Sequence, residues 1–291
     1  MKPIPDCVPD ALRMIIATAR AVSDDDFIHR KVLIKVMGEI AADGDLGTNP
    51  ADFHLLCWET ACRALGVRDP YENEKARGNK TALGILKSIV KKDGKPGLDL
   101  RTAVKISFAG AMIDFSGLGR ADIEEKIEYY RDARPELDET KALLLAIEKA
   151  DSVMIVADRA GEVAMDRPLA EALANLGKTV HLAVSAKPVF TMATEKDAET
   201  AGFSGPVSVV NPGTAMYGLV QERASNGFRE IFDACDLALV KGDTHFCTMS
   251  PHDNAYFILR AQSKRVAKIL DIGRETGAIV KRKPAMEIKW S

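Results

Sequence analysis

Net charge, cysteine and uninterrupted apolar sequence are all in short supply in this chain. Its 40 Lys and Arg stand against 42 Asp and Glu, for a formal charge of −2. No basic field exists to draw in nucleic acid or a membrane surface. No apolar run reaches the roughly 20 residues of a membrane-spanning helix, and the opening MKPIPDCVPD lacks the pattern of a signal peptide. The five cysteines, Cys7, Cys57, Cys62, Cys235 and Cys247, are odd in number and scattered. That argues against a disulfide framework and suits a reducing cytoplasm. There is no internal repeat and no low-complexity segment. What remains is the composition of an ordinary globular protein, 46% hydrophobic and 28% charged over 291 residues, enough for one large domain or two modest ones.

The two halves differ in period. From about residue 8 to 150 the pattern is helical, with no convincing strand. ALRMIIATARAV, FIHRKVLIKVMGEIAA, DFHLLCWETACRALG and TALGILKSIVKK carry apolar residues at three- and four-residue intervals. Asp24 and Asp25 suit the cap of the second helix, and Asn49-Pro50 the start of the third. Further helices are expected around Ala121–Ala133 and Glu139–Ala150. Thr102–Phe115 reads as a buried helix whose small residues Ala109, Gly110 and Ala111 admit a close neighbour. Cys57 and Cys62 flank Trp58 on a helical pattern and read as core. From 151 to 291, short apolar runs at Val153–Ala157, Val180–Val184, Val207–Val210, Leu237–Val240 and Ala278–Lys281 alternate with amphipathic stretches such as Arg167–Leu176, Lys196–Ala201 and Met216–Ala234. That alternation predicts βαβ units and a parallel sheet. The expected architecture is a helical unit over 1–150 packed on a Rossmann-like α/β sandwich over 151–291.

Ligands of open parallel sheets bind beyond the carboxyl ends of the strands. The first strand leads into Asp158-Arg159-Ala160-Gly161-Glu162, and the second into Ser185-Ala186-Lys187-Pro188 and Thr191-Met192. The third leads into Asn211-Pro212-Gly213-Thr214, and the fourth into Lys241-Gly242-Asp243-Thr244-His245. Each loop alone has an ordinary explanation. Asp158 can cap a helix, Asn211-Pro212-Gly213 is a turn sequence, and Lys241-Gly242-Asp243 can be a surface turn. Their joint placement argues for an anion site, in which lysine supplies charge and glycine frees backbone N–H groups. His29, His54, His181 and His252 suggest no constellation.

These residues, taken as a set, resemble the damage-control phosphatase family, formerly domain of unknown function 89. The resemblance runs over nearly the whole chain. It includes Cys7-Val8-Pro9, Asp69-Pro70-Tyr71 with Lys75 and Asn79, and Phe108-Ala109-Gly110 with Ile113-Asp114-Phe115. In the second half it takes in Asp158 with Gly161-Glu162 and Asp166, Ala193-Thr194 with Asp197-Ala198, Gly213, Lys241-Gly242, and Leu259-Arg260 with Val266-Ala267. The resemblance implies hydrolysis of a small phosphorylated metabolite with one divalent metal (Mn, Ni, Co or Mg). It makes Asp158 a metal ligand or nucleophile and Lys241 a phosphate anchor. Substrate contacts are then expected from Arg159, Gly161, Glu162, Gly213, Thr214, Gly242 and Asp243, and from Lys75, Asn79 and Asp114 in the helical half.

The departures from the family pattern gather at the expected metal. Arg159 replaces an Asn, Thr191-Met192 replaces Asn-Asp, Gly110-Ala111 replaces Gly-Asn, and His245 and Cys247 replace an Asn and an acidic residue. A cation beside Asp158 and a thioether for a carboxylate argue against a hard-metal oxygen cage. Arg159 can instead hold a phosphate or carboxylate bidentately. The alternative is a softer metal site from Asp158, Asp243, His245 and Cys247. Three functions stay open: a phosphatase with rearranged metal binding, a non-catalytic relative that binds an anionic small molecule or a partner protein, and an enzyme of another type using His245 as acid or base. Nothing in the chain fixes an oligomeric state.

Overall fold

Apolar runs rich in β-branched residues can bury both faces only inside a sheet that is covered on both sides, and the fold follows from that need. The computed structural model describes residues 5–43, 49–93, 98–115, 119–249 and 254–281; His252 lies outside them. The helical spacing of the first half produces α1 (Cys7–Val22), α2 (Asp26–Asp43), α3 (Pro50–Leu65), α4 (Glu72–Asp93), α5 (Leu100–Ala111), α6 (Arg120–Asp132) and α7 (Thr140–Lys149), with a two-residue strand β1 (Leu137–Asp138) before α7. The caps are the residues expected. The Asp25 carboxylate accepts from Phe27 N at 2.8 Å, and the Asn49 side chain from Ala51 N at 2.8 Å.

The second half alternates as expected. It runs β2 (Ser152–Val156), α8 (Glu162–Asn175), β3 (Thr179–Ala183), α9 (Glu195–Ala201), β4 (Val207–Val210), α10 (Asn226–Ala234), β5 (Leu237–Lys241), α11 (Asp243–Thr248), β6 (Ala255–Arg260), α12 (Lys264–Leu270) and β7 (Gly277–Lys281). The seven strands form one sheet in the order β1-β7-β6-β5-β2-β3-β4. All pairings are parallel except β6 with β7. From β2 the chain moves outward to β3 and β4, then returns to β5 on the other side of β2 and continues to β6. The β2–β5 junction is therefore a topological switch point, where strand-end loops part and leave a crevice. Val156 pairs with Val240 there, which brings Asp158 and Gly242 side by side.

Val153, Ile155, Leu182 and Leu239 face one layer, and Met154, Val156, Val240 and Phe257 the other. Full burial of each such side chain contributes about 1.5–3 kcal/mol. The first layer contains α4 to α9; the second contains α10, α11 and α12. The expected close approach to the middle of α5 is made by α8: a Cβ on Gly110 would lie 2.7 Å from Met165 Cβ. A third core joins α1, α2 and α3 to Val189, Phe190 and Met192 in the loop after β3, with Cys57 and Trp58 buried in it.

The expected division at residue 150 follows a change of sequence period, but the packing divides elsewhere. β1 and α4 to α7 belong to the sandwich, and among the described residues α1 to α3 form an apolar cluster apart from it. Two strands escaped the sequence pattern. β1 is too short to show a period, and β6 is a continuous apolar run beside an antiparallel partner. The stretch Met216–Ala234 is α-helical only over its last part, where the Ser225 hydroxyl caps α10 by accepting from Phe228 N at 3.3 Å. Among the described residues no helix is long and apolar enough to cross a membrane.

Candidate functional site

Beyond β2 the chain turns through a loop braced on every side. Ala160 N donates to Thr191 O and Ala193 N to Asp158 O, both at 2.9 Å, so Arg159 and Met192 become partners in an isolated antiparallel bridge. Gly161 adopts φ +79°, and any Cβ there would lie 2.7 Å from two Phe115 side-chain carbons. Its N–H donates to Asn79 Oδ1 at 2.6 Å, while Asn79 Nδ2 donates to Asp197 Oδ1 at 2.7 Å. Asp197 also accepts from Thr194 N at 2.9 Å and Thr194 Oγ1 at 2.6 Å. Lys75 pairs with Asp69 at 2.5 Å and lies 4.0 Å from Asp197. Lys75 and Asn79 thus brace the loop from the helical layer, the first through its carboxylate partners and the second directly.

Across the switch point, Gly242 has φ +85°, and a Cβ there would collide with the Asp158 carboxylate. The first residue of α11, Asp243, is buried, and its Oδ2 accepts from Gln262 N at 3.1 Å and Ser263 N at 2.9 Å. Burial raises the Asp243 pKa, and those two N–H groups and Arg159 oppose the rise. Asp158 is also buried. Its pKa is pushed up to about 6 by loss of solvent, with the Arg159 charge pulling the other way. Arg159 Nε lies 3.7 Å from Asp158 Oδ2, and its Nη2 donates to Gln262 Oε1 at 2.5 Å. Burial works against the guanidinium charge, but Asp158, Asp114, Glu162 and Asp243 outweigh it and keep the group charged.

Lys241 corrects the expectation of a phosphate anchor facing the ligand. The side chain is fully buried, and Nζ donates to Ser107 O, Ser107 Oγ and Asp166 Oδ1, each at 2.7 Å, with Glu162 Oε1 at 3.2 Å. Ser107 Oγ in turn donates to Asp166 Oδ1 at 2.6 Å. An alternating strand would point Lys241 to one face of the sheet, and here that face is covered by α5 and α8. Glu162 belongs to the same buried group rather than to a ligand surface. Desolvation pushes its pKa up to about 8, against the pull of Lys241. Ser107 and Asp166 were absent from the expected site, because their relation to Lys241 exists only once α5, α8 and β5 are packed.

His245 is corrected too. It is buried, and its Nδ1 accepts from Leu219 N at 3.0 Å, so the lone pair a metal would need is engaged. Burial lowers its pKa to about 4, which leaves the ring neutral and structural at pH 7 and unsuited to acid–base work there. Gly213 and Thr214 are exposed; Gly213 N donates to Asn211 Oδ1 at 2.9 Å in a surface turn, and Thr214 borders a small separate hollow with Asp52 and Arg223.

A cavity of about 620 Å³ opens between α1, α3 and the strand ends. Arg159, Asp114, Asp243 and Cys247 line it beside Gln262 and Arg274. Its opposite wall, unforeseen from sequence, is aromatic: Trp58 backs Phe190 at 4.6 Å between ring centres, Phe190 meets Tyr217 at 4.9 Å, and Tyr217 meets His54 at 5.2 Å. His54 Nδ1 lies 2.7 Å from the Pro50 carbonyl, which sets that nitrogen as the N–H donor. Phe190 holds φ +45°, an uncommon conformation for an aromatic residue. These residues come from segments far apart in the chain, so no local pattern announces them.

The donors beside Asp158 do not suit a divalent cation. Among the described residues no three His, Cys, Asp or Glu side chains gather as a metal site. Two unit charges 4 Å apart at an effective dielectric of 20 interact by about 4 kcal/mol, so at that range Arg159 cancels roughly 8 kcal/mol of the attraction that the neighbouring carboxylates would offer a dication.

The architecture has counterparts in known proteins. Residues 4–277 match the family model described as the damage-control phosphatase ARMT1-like domain. The chain belongs to the damage-control phosphatase ARMT1-like family. A damage-control phosphatase of Pyrococcus horikoshii is 27% identical over 94% of both chains. An uncharacterised protein of Methanocaldococcus jannaschii is 26% identical, covering 96% of this chain and 95% of its own. A damage-control phosphatase of Archaeoglobus fulgidus is 25% identical over 96% and 98%. The crystal structure of a DUF89 family protein from P. horikoshii matches with a TM-score of 0.88, covering 97% of this chain and all of that one. Damage-control phosphatases are generally metal-dependent.

Proposed function

We propose that this chain binds a small phosphorylated metabolite in the 620 Å³ cavity, with the phosphate at the Arg159–Gln262 corner, and hydrolyses it as a member of the damage-control phosphatase family. The observation that carries this is a permanent cation held beside a buried carboxylate at the switch point of a parallel sheet, on the wall of a cavity large enough for a metabolite.

Arg159 donates N–H bonds to the non-bridging phosphate oxygens and offsets charge that grows as the ester bond breaks. Asp158 lies next to that position with a pKa near 6, suited to take a proton from an attacking water at neutral pH. Asp243, fixed by two backbone N–H groups, and Asp114 border the same space and select against ligands with further negative charge there. The aromatic wall receives the rest of the molecule.

A specific observation favours a second reading, binding without turnover: Asp158 and Arg159 already pair with each other, and a bound phosphate competes with the carboxylate for the guanidinium. A panel of phosphate esters, scored both for binding by calorimetry and for phosphate release, separates the two. Release that disappears in Asp158→Asn supports hydrolysis. Binding without release supports the second reading, and no binding of any ester sinks both.

A further inference from the structure

We infer that the Arg159 guanidinium takes the place of the family's divalent metal, so that this chain engages phosphate without a metal ion at Asp158. The inference rests on the phosphate-binding reading for its ligand, but its claim about the cation stands on separate observations.

The first is that Arg159 is held in the corner from two sides. Its Nε lies 3.7 Å from Asp158 Oδ2, and its Nη2 donates to Gln262 Oε1 at 2.5 Å. Gln262 is itself fixed: its N–H donates to Asp243 Oδ2 at 3.1 Å, and its carbonyl accepts from Arg274 Nε at 3.1 Å and Nη2 at 2.9 Å. A side chain tied to two anchored groups is not one that swings clear to admit an ion.

The second concerns Met192, which lies directly across the bridge from Arg159 and is buried with Phe190 and Trp58 in the apolar cluster of α1 to α3. Two positions at which the resemblance implies Asn and Asp are therefore structural partners here, one carrying a cation and the other a thioether. A thioether is a soft, neutral donor, poorly matched to Mg or Mn.

The third is the count of donors that remain. Asp243 spends Oδ2 on two backbone N–H groups, and His245 spends Nδ1 on Leu219 N. Hard divalent ions prefer about six oxygen ligands, and the carboxylates nearest this corner, Asp158, Asp243 and Asp114, are gathered around a guanidinium instead. The same corner suits an anion. Guanidinium carries five donors in a planar fork that matches two phosphate oxygens, and only part of that set is engaged by Asp158 and Gln262.

The test follows free Mn²⁺ by electron paramagnetic resonance while the full-length protein is titrated, and separately measures inorganic phosphate binding with and without EDTA. The expected result is no stoichiometric Mn²⁺ site in the wild type, phosphate affinity unchanged by EDTA, and at least a tenfold loss of that affinity in Arg159→Gln. The double substitution Arg159→Asn with Met192→Asp removes the cation and adds a carboxylate on its bridge partner; it should take up one equivalent of Mn²⁺. One equivalent of Mn²⁺ in the wild type, lost in Asp158→Asn, would overturn the inference while leaving the phosphate-binding reading intact, and this arm holds even if the double variant does not fold. Absence of phosphate binding under every condition would overturn the phosphate reading, while the Mn²⁺ arm still decides the claim about the cation.

Discussion

Replacing Lys241 with methionine separates two roles that one residue cannot fill at once. In the fold its ammonium is sealed between α5, α8 and β5, with three hydrogen bonds at 2.7 Å and a carboxylate at 3.2 Å. Methionine keeps the apolar stem and removes the charge, leaving Glu162 without its cation and Asp166 with only the Ser107 hydroxyl. Breaking a buried pair from one side costs about 3–5 kcal/mol, a large part of the 5–15 kcal/mol that typically holds a domain together. With an unfolding entropy of roughly 2.1 cal/mol/K per residue over 291 residues, that loss lowers the midpoint by about 5–8 °C. The loss should also depend on pH. Without the ammonium both carboxylates hold their protons more tightly in the folded state, so the variant's deficit grows as pH rises. Thermal unfolding followed by circular dichroism at pH 5 and pH 8, beside a phosphate titration at low temperature, tests this. The expected result is a lower midpoint, a wider gap at pH 8, and phosphate affinity within a few-fold of wild type. A wild-type midpoint together with a tenfold loss of phosphate affinity would refute the reasoning and return Lys241 to the ligand.

Two further outcomes are expected. Glu162, with its pKa raised from 4.5 to about 8, keeps a proton in the fold that the unfolded chain releases, so its contribution to stability falls as pH rises through that window; Glu162→Gln should flatten the pH dependence of the urea midpoint there, and an identical slope would count against it. Asn79→Ala strands the Gly161 N–H and Asp197 Oδ1, at about 1–3 kcal/mol for each stranded partner; it should lower the urea midpoint and weaken phosphate binding by loosening the loop that carries Arg159, and an unchanged midpoint would refute that bracing role.

Much of the architecture was legible because periodicity is local. A three-to-four-residue spacing builds the long helices, and short β-branched runs followed by polar, glycine-bearing loops build the parallel strands. From there the rule that ligands sit beyond strand carboxyl ends singled out Asp158, Arg159, Gly242 and Asp243, and the structure brings these four together at the β2–β5 junction. The same rule failed for Gly213 and Thr214, which stand exposed beyond the edge strand β4, while Tyr217 and Leu219 later in that loop return to the cavity wall and to His245.

By itself, then, the sequence determined the layers, the strand ends and the presence of a cation beside Asp158, since each depends on residues close along the chain. Only the tertiary structure decided which polar groups face a ligand. Lys241 and Glu162 look like surface chemistry until α5 supplies Ser107 and α8 supplies Asp166, and His245 looks like a ligand until Leu219 N takes its lone pair. The pairing of Arg159 with Met192 across a single bridge is likewise invisible in a linear chain. The physical reason is that burial and hydrogen-bond satisfaction are properties of neighbours, and the deciding neighbours lie far away in sequence.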